Sequence, residues 1–129
     1  MKRILFLLVL AFPFCLVAQS VKTPLDKDFE PIKLYFVMLV DGTNLSQDTA
    51  AINKIQEAHL ANIQRLSKED KLLVAGPFAD DNKWRGIFIF KCKDEKECEA
   101  ILKTDPAVAS GRLTYQIHPW MTGKNCLFQ

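Results

Sequence analysis

The sequence lacks the short motifs that mark most nucleotide-dependent and metal-dependent enzymes. It has no phosphate-binding loop, no Gly-x-Gly-x-x-Gly turn, no His-Glu-x-x-His pair and no Gly-x-Ser-x-Gly elbow. Histidine, the commonest general base, occurs only twice, at His59 and His118. No serine or cysteine lies beside a candidate base in the sequence, so covalent catalysis has no candidate nucleophile.

Cysteine is also too scarce to form a disulfide scaffold. Apart from Cys15, which lies in the apolar start of the chain, the cysteines are Cys92, Cys98 and Cys126. An odd number leaves at least one thiol unpaired within a monomer, and the spacing of Cys92 and Cys98 is not that of zinc ligands. We therefore predict no metal site. Two alternatives remain open: free thiols throughout, or one disulfide whose partners the sequence does not choose.

The longest apolar run lies at the amino terminus. The basic start "MKR" precedes "ILFLLVLAFPFCLV", and Ala18 supplies a small residue before a cleavage site. This is the layout of a secretory signal peptide over residues 1–18, and Pro13 and the short length argue against a membrane span. We expect a periplasmic or secreted protein, cleaved after Ala18 and not bound to a membrane thereafter.

The charge of the chain has no strong excess of either sign. Seventeen basic residues stand against fifteen acidic ones. Removal of residues 1–18 takes away Lys2 and Arg3, and seventeen less two leaves fifteen of each sign. A formally neutral mature chain presents no basic surface for nucleic acid or anionic lipid, so we expect neither as a partner.

The rest of the chain divides into a polar arm (residues 19–32), one domain (residues 33–120) and a tail without periodicity (residues 121–129). In the domain, alternating or continuous apolar runs predict four strands: "IKLYFVMLV", "KLLVAGPF", "RGIFIFKC" and "RLTYQIHPW". Two helices are predicted between them, one from a cap at Ser46 or Asp48 to about Ser67 and one over Glu95–Lys103. The order βαββαβ predicts an α+β, ferredoxin-like fold: an antiparallel sheet with both helices on one face.

Two of the predicted strands are apolar on both faces. In "LYFVMLV" and "GIFIF", large side chains occupy consecutive positions rather than alternate ones. Leaving the second face in water would cost about 1.5–3 kcal/mol for each such side chain. We expect a second copy to cover it sheet to sheet, giving a homodimer with a cavity between or beside the sheets. The alternative is a monomer covered by its own arm and tail.

His59 occupies a position where an amphipathic helix normally buries an aliphatic residue. Ile52, Ile55, Ile63 and Leu66 recur around it at spacings of three and four, so all five residues share one helix face. A buried imidazole needs a hydrogen-bond partner or a function. The alternatives are a core histidine paired with a carbonyl or carboxylate, and a general base or acid held against the sheet.

Asp105, in "TDPAVASG", also has two interpretations. It suits the N-cap of a single helical turn that begins at Pro106 and ends at Gly111. Its carboxylate could instead orient the imidazole of His59 and stabilise the imidazolium. The Gly76-Pro77 step is either the start of a hairpin or part of a cavity mouth near His59, and Ser110 has the same ambiguity.

These segments together resemble the YCII-related family. The matching stretches are "KLYFVMLVDG", "AHLANIQRLSKEDKLLVAGPF", "WRGIFIFKC" and "DPAVASGRLTYQIHPW", which cover about Lys33 to Trp120. The resemblance implies a dimeric α/β barrel of ferredoxin-like protomers. It also implies an active site at a His–Asp pair, which corresponds here to His59 and Asp105.

Relatives of this dimeric barrel include isomerases, lyases and oxygenases that act on small cyclic or aromatic compounds, several without a cofactor. The resemblance therefore implies a lyase- or isomerase-like enzyme that uses the His59–Asp105 pair on a small organic substrate, with no cofactor. The alternative is a non-catalytic ligand-binding or assembly module of the cell envelope. In that case the pair is structural.

Overall fold

The computed structural model describes residues 30–80 and 82–126. The predicted signal peptide and all but the end of the predicted arm lie outside these residues. In chain order the elements are β1 (Pro31–Asp41), α1 (Thr49–Lys68), β2 (Leu72–Pro77), β3 (Trp84–Phe90), α2 (Glu95–Leu102), α3 (Pro106–Ala109), β4 (Leu113–Gly123) and a 3₁₀ turn (Lys124–Cys126). The expected βαββαβ order is present, and the single turn predicted after Asp105 is α3.

The four strands form one antiparallel sheet in the order β2-β3-β1-β4. In the centre, Tyr35 of β1 pairs with Phe90 of β3 on one side and with Pro119 of β4 on the other. The crossover through α1 joins β1 to β2 with β3 between them, which is the split arrangement of a ferredoxin-like fold. The predicted fold class is confirmed.

One face of the sheet and the two longer helices enclose the core. Alternation along β1 and β3 directs every second side chain to this face, where Leu66 of α1 and Leu102 of α2 pack against them. The fully or nearly fully buried members from the sheet are Tyr35, Val37, Leu39, Leu72, Phe88 and Phe90. Both helices therefore lie on the same face, as expected.

The last strand is longer than the sequence pattern predicts. The alternating pattern was expected to end at Trp120, but residues 121–123 continue β4 and pair with residues 31–33 at the start of β1. The first three residues of the predicted tail and the last two of the predicted arm thus belong to the sheet. Backbone pairing extends the strand here, and it needs no side-chain periodicity.

The opposite face of the sheet lies away from both long helices. It is apolar along β1 and β3, whereas β4 adds the polar residues Thr114, Gln116 and His118. Phe36 and Met38 of β1 are half-buried on this face, where they pair with Ile89 and Ile87 of β3. Trp84 is 51% exposed and Trp120 is 39% exposed. Their partners in the ladder are Val40 and Leu34, which share the face with Phe36. We call this surface, formed by Leu34, Phe36, Met38, Val40, Trp84, Ile87, Ile89 and Trp120, the open sheet face.

The three described cysteines are free thiols with very different surroundings. Cys98 is buried, Cys92 is half-buried and Cys126 is exposed. Burial raises the pKa of the Cys98 thiol, and to a smaller extent that of Cys92. Since the thiolate is the reactive form, burial leaves both thiols less reactive than an exposed cysteine.

Thiol labelling at neutral pH is therefore expected to proceed in order of exposure. A chromogenic disulfide reagent should react with Cys126 within seconds to minutes, with Cys92 more slowly, and with Cys98 only after unfolding. The variant Cys126→Ser should lose the fast phase and nothing else. A single reactive thiol in residues 19–129, unfolded without a reductant, would instead reveal a disulfide and contradict this structure.

Candidate active site

The helix α1 carries His59 to the inner side of the sheet. Asp48 caps the helix by accepting a hydrogen bond from the backbone N–H of Ala51 at 2.8 Å, which satisfies one of the unpaired donors of the first turn. His59 and Leu66 are buried, whereas Ile52 and Ile63 are only half-buried. The helix face that carries these residues therefore packs against the core over only part of its length and faces a cavity over the rest.

Asp105 performs the capping role that its sequence context predicts. Its side chain accepts a hydrogen bond from Ala107 N–H at 2.8 Å at the start of α3, and Pro106 occupies the first helical position. The residue is 0% exposed. A fully buried carboxylate requires further donors, and α1 supplies one.

The structure brings His59 and Asp105 into direct contact. Nδ1 of His59 lies 2.9 Å from Oδ1 and 2.8 Å from Oδ2 of Asp105. A carboxylate only accepts hydrogen bonds, so Nδ1 must carry the proton and donate it. When the ring is neutral, Nε2 then holds the lone pair. Nε2 has no hydrogen-bond partner within residues 30–80 and 82–126. The carboxylate of Asp105 therefore caps α3 and contacts His59 at the same time.

A cavity of about 600 Å³ lies between α1 and the sheet and reaches the ring of His59. The imidazole also stacks on Phe88, with ring centroids 6.0 Å apart and planes inclined by 27°. The cavity wall presents polar and apolar surface in similar amounts. Its lining residues are Leu39, Asp41, Leu45, Ile52, Gln56, His59, Leu60, Ile63, Ala75, Gly76, Pro77, Arg85, Gly86, Phe88, Arg112 and Leu113.

The other residues considered from the sequence take different places. Gly76 and Pro77 lie at the end of β2 and line the cavity. Asp105 does not line it, because it lies behind the imidazole. Ser110 does not line it either: its hydroxyl donates to the carbonyl of Ala107 at 3.2 Å and closes the last turn of α3.

Three charged residues of the cavity were missed by the sequence interpretation. Asp41 ends β1, Arg85 belongs to the start of β3, and Arg112 directly precedes β4. Because β1 is antiparallel to both neighbours, its end meets the starts of β3 and β4 at one edge of the sheet. The predicted topology could therefore have placed these side chains together, had it been applied to the strand ends.

Asp41 and Arg85 form a bidentate ion pair at this edge. Nε and Nη2 of Arg85 donate to the two oxygens of Asp41, each at 2.6 Å. These hydrogen bonds are the main reason why the pKa of Asp41 is lowered, and the charges of Arg85 and Arg112 lower it further. Asp41 therefore remains a carboxylate, and its charge is balanced by Arg85.

Two glycines allow the loop between β1 and α1 to approach the start of β4. Gly42 N–H donates to the carbonyl of Arg112 at 2.8 Å, and Asn44 N–H to that of Gly111 at 3.0 Å. A Cβ atom at Gly42 would clash with the Gly111 carbonyl, and Gly111 itself has a φ of +73°. This close approach fixes the backbone of Arg112 beside the cavity.

Asn62 is a further buried polar residue that the sequence interpretation missed. It follows His59 by three positions and so lies on the same side of α1. Its Oδ1 accepts a hydrogen bond from Arg65 Nη2 at 2.7 Å, and the same Nη2 donates to Thr104 Oγ1 at 3.2 Å. This link ties α1 to the turn that directly precedes Asp105. Its polar identity inside an apolar stripe was the available signal.

Neither a metal centre nor a membrane-spanning helix is found in the described ranges. Among residues 30–80 and 82–126, no three His, Cys, Asp or Glu side chains lie close enough together to hold a metal ion. No helix in the same ranges combines the length and the apolar character required to cross a bilayer.

Comparison with known proteins identifies a family and solved structures of similar fold. The family model described as "YCII-related domain" matches residues 34–121. Among solved structures, the chain is similar to 5-chloro-2-hydroxyhydroquinone dehydrochlorinase from Burkholderia phenoliruptrix AC1100 in complex with 2,5-dihydroxybenzoquinone. The TM-score is 0.52 at 20% sequence identity, over 71% of this chain and 97% of that chain. At this identity the likeness concerns the fold. No curated protein sequence matches the chain.

Proposed function

The chain belongs to the YCII-related family, and we propose that it is a lyase- or isomerase-like enzyme for a small organic substrate. His59 acts as general base and acid, and Asp105 orients it. The observation that carries this proposal is the cavity at His59: Asp105 occupies Nδ1, while the ring lines a space large enough for a ligand. A closed core around the pair would instead have favoured a purely structural role.

The chemistry that these residues support is proton transfer at an acidic carbon or hydroxyl group. The Nε2 lone pair of His59 takes the proton as the C–H bond breaks. The electron pair of the broken C–H bond moves into a new double bond. In an elimination, this double bond forms as a leaving group departs with its own electron pair. In an isomerisation, His59 returns the proton to another atom. Asp105 stabilises the transient imidazolium, and such acid–base assistance contributes about 10²–10⁴-fold in rate.

The size and lining of the cavity support a compact substrate that has both apolar and polar parts. A volume of about 600 Å³ falls within the usual range of small-molecule sites, and seven of the sixteen lining residues are leucine, isoleucine or phenylalanine. The dehydrochlorinase of similar fold was solved with a single-ring quinone. That likeness is an analogy of fold, and it makes cyclic carbon acids the first compounds to test.

The proposal is tested by ligand screening followed by proton exchange. Single-ring enols, hydroxyquinones and lactones are screened by thermal shift, and each binder is then incubated with the protein in D₂O. Proton NMR should show catalysed loss of an acidic C–H signal, or product formation, for at least one binder. Binders that stabilise the protein without any exchange or turnover would overturn the enzyme proposal. They would favour the non-catalytic ligand-binding alternative.

We further propose that two copies associate through the open sheet face. Large apolar side chains and two exposed tryptophans on one surface are typical of protein interfaces. Light scattering on residues 19–129 should give twice the monomer mass. Phe36→Lys should yield monomers or aggregates, whereas the matched control Gln64→Lys on the outer face of α1 should remain dimeric. A stable, soluble monomer of the wild-type chain would refute the dimer.

We also propose that the protein is exported and processed. The basic start, the apolar run and Ala18 in residues 1–18 support this. Mass spectrometry of the full-length gene product, expressed in a bacterial host, should find an amino terminus at or near Gln19 in the periplasm or medium. An intact Met1 terminus in the cytoplasmic fraction would contradict it.

A further inference from the structure

We propose that the substrate carries one anionic group, a carboxylate or an ionised ring hydroxyl, and that Arg112 binds it at the edge of the cavity. This inference rests on the proposed function, since it names the substrate class of the same site. It assigns Arg112 as a specificity-determining residue.

The charges that line the cavity do not cancel. Its charged residues are Asp41, Arg85 and Arg112. Asp41 accepts both of its 2.6 Å hydrogen bonds from Arg85, so these two charges balance one another. The nearby Asp105 carboxylate is occupied by His59 and by the backbone of α3. One positive charge, that of Arg112, is therefore left without a hydrogen-bonded carboxylate within the described residues.

The hydrogen-bonding capacity of Arg112 is also mostly unused. A guanidinium group has five N–H donors. Within the described ranges, its side chain makes one hydrogen bond, from Nη1 to the neutral Oε1 of Gln47, and this bond is long at 3.4 Å. Arg112 is half-buried beside Leu113, where a cation is less well hydrated than in open water. A ligand anion would supply the missing acceptor and counter-charge, in the paired geometry that a guanidinium favours.

The position of Arg112 suits a ligand that also reaches His59. Its backbone is fixed at the start of β4 by the hydrogen bond from Gly42, whereas His59 lies in the middle of α1. Both side chains line the same cavity, with the apolar side chains of Leu39 and Phe88 also in its wall. A molecule held by Arg112 and deprotonated by His59 would therefore lie along the sheet, with its ring against these apolar residues.

The test compares matched anionic and neutral probes by calorimetry or ligand-observed NMR. One arm uses salicylate against salicylamide and tests for a carboxylate. The second uses 2,5-dihydroxybenzoquinone against its dimethyl ether and tests for ionised ring hydroxyls. Wild-type protein should bind the anion of at least one pair about tenfold or more tighter than the neutral compound.

The variant Arg112→Gln should remove this preference and leave the affinity for the neutral probe unchanged. Arg112→Lys should restore part of it, because lysine keeps the charge but not the planar donor fork. Lys91→Gln, which removes one positive charge at an exposed ion pair outside the cavity lining, should keep the full preference. Equal affinities for anion and neutral probe in the wild type, or a preference that survives Arg112→Gln, would overturn the inference.

The failure of this inference differs from the failure of the proposed function. Proton exchange on a binder, together with equal wild-type affinities for the anionic and neutral probes, would refute the anion site and leave the enzyme proposal intact. If the anion preference depends on Arg112 but no binder undergoes exchange, the anion-site inference holds and the proposed enzymatic function is refuted.

Discussion

Replacement of Asp105 with alanine is expected to lower the free energy of unfolding by about 2–4 kcal/mol. Two interactions disappear together. The backbone N–H of Ala107 loses its cap, which typically costs about 0.5–2 kcal/mol. The Nδ1–H group of His59 loses its acceptor in a buried position, which costs about 1–3 kcal/mol. Urea denaturation of the wild type and the variant measures the difference.

Asp94 provides the matched control for this prediction. It caps α2 by accepting from Glu97 N–H at 2.8 Å, but it is exposed and has no histidine partner. Asp94→Ala should therefore lose only the capping contribution, about 1 kcal/mol. If Asp105→Ala costs no more than Asp94→Ala, the bond to His59 contributes nothing to stability.

Replacement of His59 with asparagine is expected to abolish proton transfer while the fold persists. The amide nitrogen of asparagine can occupy the place of Nδ1 and donate to Asp105, but nothing replaces Nε2. The rate of proton exchange should fall by about 10²–10⁴-fold, and the free energy of unfolding should change by less than about 1 kcal/mol, since the buried carboxylate keeps a donor. Exchange is measured by NMR on the substrate found by screening.

His59→Leu separates the structural and catalytic contributions of the same residue. The sequence alone leaves open whether Asp105 would then reach water, in which case leucine would be tolerated. Because Asp105 is fully buried, leucine strands its carboxylate and should cost about 1–3 kcal/mol more than asparagine. Undiminished exchange in His59→Asn would show that Nε2 is not the base.

Much of the fold follows from local pattern. The turn residues and apolar runs define four strands and two helices, and their order leaves few topologies open. Asp105, Pro106 and Gly111 mark the single turn α3 for local reasons: a capping side chain, a fixed φ and a tolerated positive φ. The extension of β4 to Gly123 was not predictable in this way, since it depends on residues 31–33 being available as a partner strand.

The candidate site was only partly predictable for the same reason. The helical spacing of His59 and the "TDP" step of Asp105 identify two polar groups that need partners on the same side of the sheet. The sequence does not reveal how far apart in space two residues lie when forty-six positions separate them in the chain. The 2.8 Å contact between His59 and Asp105 exists only because α1 and α3 pack together. The role of the buried Asn62 is visible only in the structure, where Arg65 links its Oδ1 to the hydroxyl of Thr104.

By itself, the sequence determined most of the secondary structure and the α+β class, because these depend on short-range periodicity and on turn and capping chemistry. The residues left the roles of His59 and Asp105 open, and their pairing was implied by the resemblance to the YCII-related family. Tertiary structure alone decided that a cavity opens at His59. The predicted strand order is enough to bring Asp41, Arg85 and Arg112 together, but not to show that they border a cavity. Each of these three residues lies at the end or start of a different strand, and antiparallel pairing assembles them at one edge. The net positive charge of the cavity therefore arises from three separate parts of the chain, and no single segment shows it.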